Sequence, residues 1–134
     1  MTGVQTCALP ISKSVVIDPN NRVLRYSNQV RVAVAIRRGE QYAELSEFGE
    51  ALKQYQKALE TNRTSSLAHY RIAEVYFLQN NYQQAANSFR EVLAGDIDPK
   101  WTEVWSHINL GKIFDITGQR ERAEIGRASC RERV

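Results

Sequence analysis

The chain has 134 residues, of which 25% are charged and 43% hydrophobic, and this composition is typical of one small folded domain rather than a disordered or fibrous chain. Its formal net charge of +3 is too small to indicate nucleic-acid binding by itself. The two cysteines make neither a disulfide framework nor a metal cluster. No run of residues approaches the ~20 apolar positions that a membrane helix needs, so no membrane span is expected. Composition leaves the function open.

The two ends of the chain differ from its middle. Residues 1–11 and 125–134 each resemble the translation of a common short-read sequencing adapter, one string at each end. We expect both ends to be artefacts and exclude them from the folding argument. Without them, 15 basic and 14 acidic side chains remain, the net charge falls to +1, and neither cysteine nor methionine is left.

The first segment after the excluded end, residues 12–28, is rich in β-branched residues on both sides of a turn signal at Asp18-Pro19-Asn20-Asn21. Such a pattern is typical of a short extended hairpin. The same turn signal is also compatible with the end of a preceding repeat. Both interpretations stay open.

From about residue 32 onward the sequence repeats itself. Small and aromatic residues recur at equivalent positions 34 residues apart, and a third copy follows after 38 residues. The recurring positions are Gly39, Tyr42, Ala51 and Tyr55, then Ala73, Tyr76, Ala85 and Phe89, then Gly111 and Phe114. A small residue lets two helices approach closely, and an aromatic residue three or four positions later lies on the same face. Each copy therefore predicts a pair of antiparallel helices that packs against its neighbours.

The helices predicted from this pattern span about 29–45, 47–61, 65–80, 82–95, 99–117 and from 119 onward. Polar turns separate them, and four extra residues lie in the loop at 95–100. In that loop Asp98 is predicted to cap the fifth helix, with Pro99 at its first position. The predicted fold class is all-α, an α-solenoid of about two and a half repeats. We divide it into repeat 1 (32–65), repeat 2 with the extended loop (66–103) and a truncated repeat 3 (104–124).

Residues 68–77 (AHYRIAEVYF), 81–89 (NYQQAANSF) and 48–60 (FGEALKQYQKALE) resemble the tetratricopeptide repeat. The resemblance covers about residues 32–123, and Arg38, His69 and His107 depart from the usual pattern. It implies a solenoid in which the first helix of every repeat lines a concave surface. Such surfaces bind protein or peptide segments, so the expected partner is a protein or peptide.

Candidate chemical sites are few. His69 and His107 occupy the same position of neighbouring repeats, but two histidines without further ligands do not complete a zinc site, and helix packing is the favoured interpretation. Asp96 and Asp98 lack the other ligands of a calcium loop. No catalytic or phosphate-binding motif appears. We therefore predict no catalytic residue, no metal, no cofactor and no enzyme activity.

The resemblance also implies which residues line the concave surface. The predicted peptide-binding groove consists of Arg37, Tyr70, Arg71, Phe77, Trp105, Ile108, Asn109 and Lys112. Aromatic residues and arginine are enriched in binding hot spots, although each of these aromatics is explained as well by helix packing. Ile36 and Glu40 stand where relatives that bind a terminal carboxylate have Lys and Asn, which disfavours binding of chaperone tails.

The sequence thus favours a non-catalytic scaffold for protein–protein interaction. The alternative is an accessory repeat region of a larger catalytic or regulatory protein, the rest of which was lost by truncation. Nucleic-acid binding ranks third because the net charge is nearly neutral. The truncated third copy is expected to leave Leu110 and Phe114 partly uncovered, which predicts marginal stability or self-association for residues 12–124.

Overall fold

A computed structural model describes residues 26–133, which form six α-helices and no strand. The helices are α1 (Asn28–Glu44), α2 (Phe48–Thr61), α3 (Ser66–Leu78), α4 (Tyr82–Ala94), α5 (Trp101–Ile116) and α6 (Arg120–Arg133). The prediction of an all-α solenoid is confirmed. The adapter-like residues 1–11 and most of the 12–28 segment lie outside the described residues.

Successive helices pack as hairpins, α1 with α2, α3 with α4 and α5 with α6. Each hairpin then packs on the next, because α2 contacts α3 and α4 contacts α5. The first helices also meet one another, since α3 contacts both α1 and α5. This order places α1, α3 and α5 side by side on one face of the stack.

Two hydrophobic clusters hold the stack together, and α3 contributes to both. The first cluster joins α1, α2 and α3, and contains Ile36, Ala51, Tyr55, Ala58, Ala68, Ile72 and Val75. The second joins α3, α4 and α5, and contains Tyr70, Ala73, Ala85, Ala86, Phe89, Val92, Leu110 and Ile113. The partly buried Tyr76 packs against both clusters, so α3 is the central helix of the molecule.

The end of the stack is better covered than the sequence suggests. Leu110 is buried in the second cluster, so the expectation that it is partly uncovered is wrong, whereas Phe114 is only half-buried. Covering comes partly from α6, which continues through the adapter-like tail because Arg, Ala and Glu favour helix. The guanidinium of Arg127 on α6 donates two hydrogen bonds to the Asp115 carboxylate, at 3.0 and 3.1 Å.

The turn between the helices of each hairpin has the same geometry three times. Ser46, Asn80 and Gly118 adopt left-handed backbone conformations with φ of 61°, 60° and 77°. The residue after each of them donates its N–H to a carbonyl five positions earlier, at 2.7–2.9 Å. This bond pattern satisfies carbonyl groups that a helix end would otherwise leave unpaired.

The loop between α4 and α5 is attached to the start of α3. The Ser66 hydroxyl donates to the Val92 carbonyl at 2.8 Å and accepts from the Ile97 N–H at 2.9 Å. The Asp96 carboxylate accepts from the Ser66 N–H at 3.0 Å. These bonds fix the loop from a helix about thirty residues away in sequence.

The predicted cap of α5 is wrong. The helix begins at Trp101, two residues later than predicted, and its N-cap residue Lys100 makes no side-chain cap bond. Asp98 does not cap the helix, because its N–H instead donates to the Asp96 carboxylate at 3.2 Å, within the attached loop. Pro99 precedes the helix and its carbonyl accepts from the Thr102 N–H and hydroxyl, at 3.0 and 2.8 Å.

Candidate binding groove

A groove lies on the face formed by the first helices, at the C-terminal ends of α1 and α3. Its volume is about 510 Å³, and the lining residues come from five helices. They are Glu40, Ala43 and Glu44 of α1, Tyr55 of α2, Arg71, Glu74, Phe77 and Leu78 of α3, Phe89 of α4 and Asn109 of α5. The groove therefore exists only when three helix pairs are stacked.

An ion-pair network crosses the groove. The Arg71 guanidinium contacts a Glu40 carboxylate oxygen at 2.7 Å and a Glu74 carboxylate oxygen at 2.8 Å, which links α3 to α1. Burial opposes the charge on Arg71, but the hydrogen bond and the charges of the two carboxylates raise the pKa of its guanidinium above the ordinary value. Arg71 thus stays charged, and its positive charge is already matched within the protein.

Two buried tyrosines stay neutral, Tyr55 in the groove lining and Tyr70 beside the lining residue Asn109. Burial raises the pKa of Tyr55 and of Tyr70 to about 12, and the nearby Glu74 carboxylate adds to the shift at Tyr70. The Tyr70 hydroxyl accepts a hydrogen bond from the Asn109 side-chain amide at 3.4 Å. Neither phenol can therefore act as an acid or base near neutral pH.

The predicted groove residues do not all lie together. Arg71, Phe77 and Asn109 line the groove. Tyr70 is only 4% exposed, because its ring packs edge-on against Phe89 and Trp101, with ring centroids 5.7 and 5.1 Å away. The Tyr70 ring is therefore not available to a partner.

The other four predicted residues do not line this groove. Trp105 is 47% exposed, Ile108 is half-buried, and Arg37 and Lys112 are exposed. Trp105 is thus accessible to a partner, although it is not a wall of the groove. Whether any of these residues contacts a partner stays a prediction.

Sequence reasoning missed two contributors to the groove and misjudged its charge. Tyr55 and Phe89 were assigned to helix packing alone, and they are indeed completely buried, but they also lie directly beneath the groove. The basic residues were emphasised, whereas the lining contains three glutamates and one arginine. The glutamates at 40, 44 and 74 recur 34 positions apart or one helical turn apart, so the repeat period held the signal for an acidic lining.

The histidines of neighbouring repeats differ in their surroundings. A ring nitrogen of His69 lies 3.1 Å from the Arg63 carbonyl oxygen, whereas Nε2 of His107 is buried with no hydrogen-bond partner among residues 26–133. Over the same residues no group of three or more metal-binding side chains occurs. No helix of this described part is long and apolar enough to cross a membrane.

Comparison with known families agrees with the helix pairs. A model of the TPR repeat matches residues 39–80, and a model of the tetratricopeptide repeat matches residues 67–94. A search of curated proteins found no match to the chain. Tetratricopeptide repeats generally mediate protein–protein interaction, and their fold is typically a non-catalytic scaffold. The matched segments cover α2, α3 and α4 with part of α1, and this part of the chain consists of tetratricopeptide repeats.

Proposed function

We propose that the chain is a non-catalytic scaffold that binds a peptide or protein segment in the groove between α1, α3 and α5. The observation that supports this proposal is the groove itself, which combines the apolar side chains of Phe77 and Leu78, charged groups and the Asn109 amide in about 510 Å³. Apolar walls with a few convergent polar groups are the usual composition of a binding site. A segment lying there can bury apolar side chains and hydrogen-bond to Asn109.

Phe77 and Trp105 are the residues whose truncation should weaken binding most. Phe77 lines the groove and packs edge-on against Tyr82, with ring centroids 5.8 Å apart, and Trp105 is an exposed aromatic residue on α5. Truncating an aromatic anchor typically costs ~2 kcal/mol or more of binding energy. Tyr70→Ala is unsuitable as a test, because it would remove a buried ring from the second cluster.

The proposal is tested with a displayed peptide library selected on the full chain. Phe77→Ala and Trp105→Ala should weaken the selected peptides at least about tenfold, while the circular dichroism spectrum stays unchanged. Gln56→Ala and Arg90→Ala serve as matched controls, since both residues are exposed on the second helices and do not line the groove. Loss of binding in the controls, with normal binding in the Phe77 and Trp105 variants, would place the binding surface elsewhere.

The predicted self-association remains to be measured on the same protein. Sedimentation of the full chain at several concentrations reports it directly. A monomer at all concentrations would contradict association through the C-terminal end of the helix stack.

A further inference from the structure

The groove has an excess of negative charge. Its lining carries three carboxylates, on Glu40, Glu44 and Glu74, against the single guanidinium of Arg71. Arg71 is shared between Glu40 and Glu74. Glu44 is exposed and makes no ion pair or hydrogen bond among residues 26–133. A positive charge that enters the groove therefore meets one unpaired carboxylate and two that share one counter-charge.

The helix ends around the groove add to this negative potential. α1 ends at Glu44 and α3 ends at Leu78, and both residues line the groove. The C-terminus of an α-helix carries about half a negative charge, which basic residues in its last turn commonly offset. Neither last turn contains a basic residue. This observation is independent of the glutamates and points to the same sign of ligand.

The walls suit the long stem of a basic side chain. Phe77 is a half-buried aromatic residue of the lining, and Leu78 is an exposed apolar residue at its edge, whereas Tyr55 and Phe89 are completely buried beneath it. Lysine and arginine bury their methylene stems against apolar surface while the charged end reaches a polar group, and aromatic faces attract such cations. The groove offers both kinds of contact within one cavity.

We propose that this groove binds an arginine or lysine side chain of the partner segment, with the cation at Glu44 and its stem along Phe77 and Leu78. The proposal rests on the proposed function, because it specifies what the same groove accepts. An acidic segment is the opposing possibility, and it would have to displace a carboxylate from Arg71 inside a cavity of net negative charge.

Three sets of synthetic peptides test the proposal on the full chain by fluorescence anisotropy. The sets share the same randomised apolar positions and differ only at fixed positions, which hold Arg and Lys, Gln, or Glu. We expect the basic set to bind most tightly, the neutral set less and the acidic set least. Affinity of the basic set should fall as salt is raised, because the charges are partly exposed.

Single-charge variants locate the effect. Glu44→Gln should weaken the basic set at least about threefold and change the neutral set less, since it removes one exposed charge without touching the core. Glu91→Gln is the matched control, because Glu91 is exposed on α4 and does not line the groove. Glu44→Lys should reverse the preference toward the acidic set.

The outcomes separate this inference from the proposed function. Tightest binding of the acidic or the neutral set, lost on Phe77→Ala, would overturn the basic preference and keep the groove as the binding site. Preferred binding of the basic set that responds to Glu91→Gln but not to Glu44→Gln would overturn the assignment to the groove. Binding of no set, or binding of every set unchanged by Phe77→Ala and Glu44→Gln, would overturn both proposals.

Discussion

Position 34 in α1 and position 68 in α3 are equivalent in the 34-residue repeat, but they differ in burial. Val34 is 45% exposed, whereas Ala68 is completely buried. The next pair of equivalent positions on the same face shows the same contrast, since Arg38 of α1 is exposed and Ile72 of α3 is buried. The reason is that α2 packs on this face of α3, while none of the described helices packs on the same face of α1. A repeat thus defines an interface, and its neighbour decides whether that interface is buried.

The largest expected effect comes from placing the same charge at both positions. Ala68→Asp buries an unpaired carboxylate between α2 and α3 and should lower the free energy of unfolding by roughly 3–5 kcal/mol, or prevent folding. Val34→Asp places its carboxylate in solvent and should cost less than about 1 kcal/mol. Urea denaturation followed by circular dichroism measures both.

This pair of variants also tests whether the face of α1 that carries Val34 is exposed to solvent. Equal destabilisation by Val34→Asp and Ala68→Asp would show that other residues cover the outer face of α1. The burial of equivalent positions would then not differ between α1 and α3, because both helices would be covered on this face.

A second difference concerns the small residues at the equivalent positions 39 and 111. A Cβ at Gly39 would overlap the buried Tyr55 ring, whereas a Cβ at Gly111 would lie at ordinary contact distance, 3.7 Å from the Ala123 carbonyl oxygen. Gly39→Ala should therefore destabilise the protein by about 1–3 kcal/mol through overpacking. Gly111→Ala should stabilise it by about 0.5–1 kcal/mol, because alanine favours helix over glycine.

Thermal denaturation of the two variants gives the sign directly. A lower melting temperature for Gly39→Ala and a higher one for Gly111→Ala are expected. Destabilisation of similar size in both would mean that α5 and α6 approach each other as closely as α1 and α2 do.

The helices and turns could be predicted because their signals are local or periodic. The spacing of Gly39 and Tyr42, repeated after 34 residues, determines which face of each helix meets its partner. The cap of α5 could not be predicted in the same way. Asp98 stands at a suitable position in the sequence, but its N–H donates to the Asp96 carboxylate within the attached loop. The Asp96 carboxylate also accepts from the Ser66 N–H, and no local sequence pattern reveals a bond across thirty residues.

The groove likewise has features that could be predicted from the sequence and features that could not. Its location on the first helices was implied by the resemblance to the tetratricopeptide repeat, and Arg71, Phe77 and Asn109 are among its lining residues. The pairing of Arg71 with Glu40 depends on how α3 is rotated against α1, which the sequence pattern does not specify. The burial of the Tyr70 ring depends on Phe89 and Trp101, whose rings pack edge-on against it from two other helices.

A third comparison uses the turns, which share one backbone geometry but not one residue type. Ser46 adopts its left-handed conformation at a conformational cost, whereas glycine at position 118 adopts it freely. Ser46→Gly should raise the free energy of unfolding by about 1 kcal/mol, and Gly118→Ala should lower it by a similar amount. A Cβ at position 118 meets nothing within 4 Å, so that change tests the conformation alone. Urea denaturation measures both, and opposite signs to these would show that the turns differ in solution.

The smallest expected effect distinguishes the two equivalent histidines. Burial lowers the pKa of His107 below its ordinary value, so its neutral form is favoured in the folded chain. Above that ordinary value of about 6.5 the imidazole is neutral in both states and contributes no pH dependence. As the pH falls below it, the unfolded chain gains a proton that the folded chain resists, and the folded state loses stability.

His107→Leu should therefore flatten the decline in stability between about pH 7 and pH 5 relative to the unmodified chain. It should also remove the buried Nε2, which has no hydrogen-bond partner among residues 26–133. His69→Leu is the structural control, because it deletes the contact with the Arg63 carbonyl and should lower stability at neutral pH. Melting temperatures of the three proteins measured across this pH range provide the test. A steeper acid decline in His107→Leu than in the unmodified chain would mean that the folded state stabilises the protonated ring, the opposite of what its burial implies.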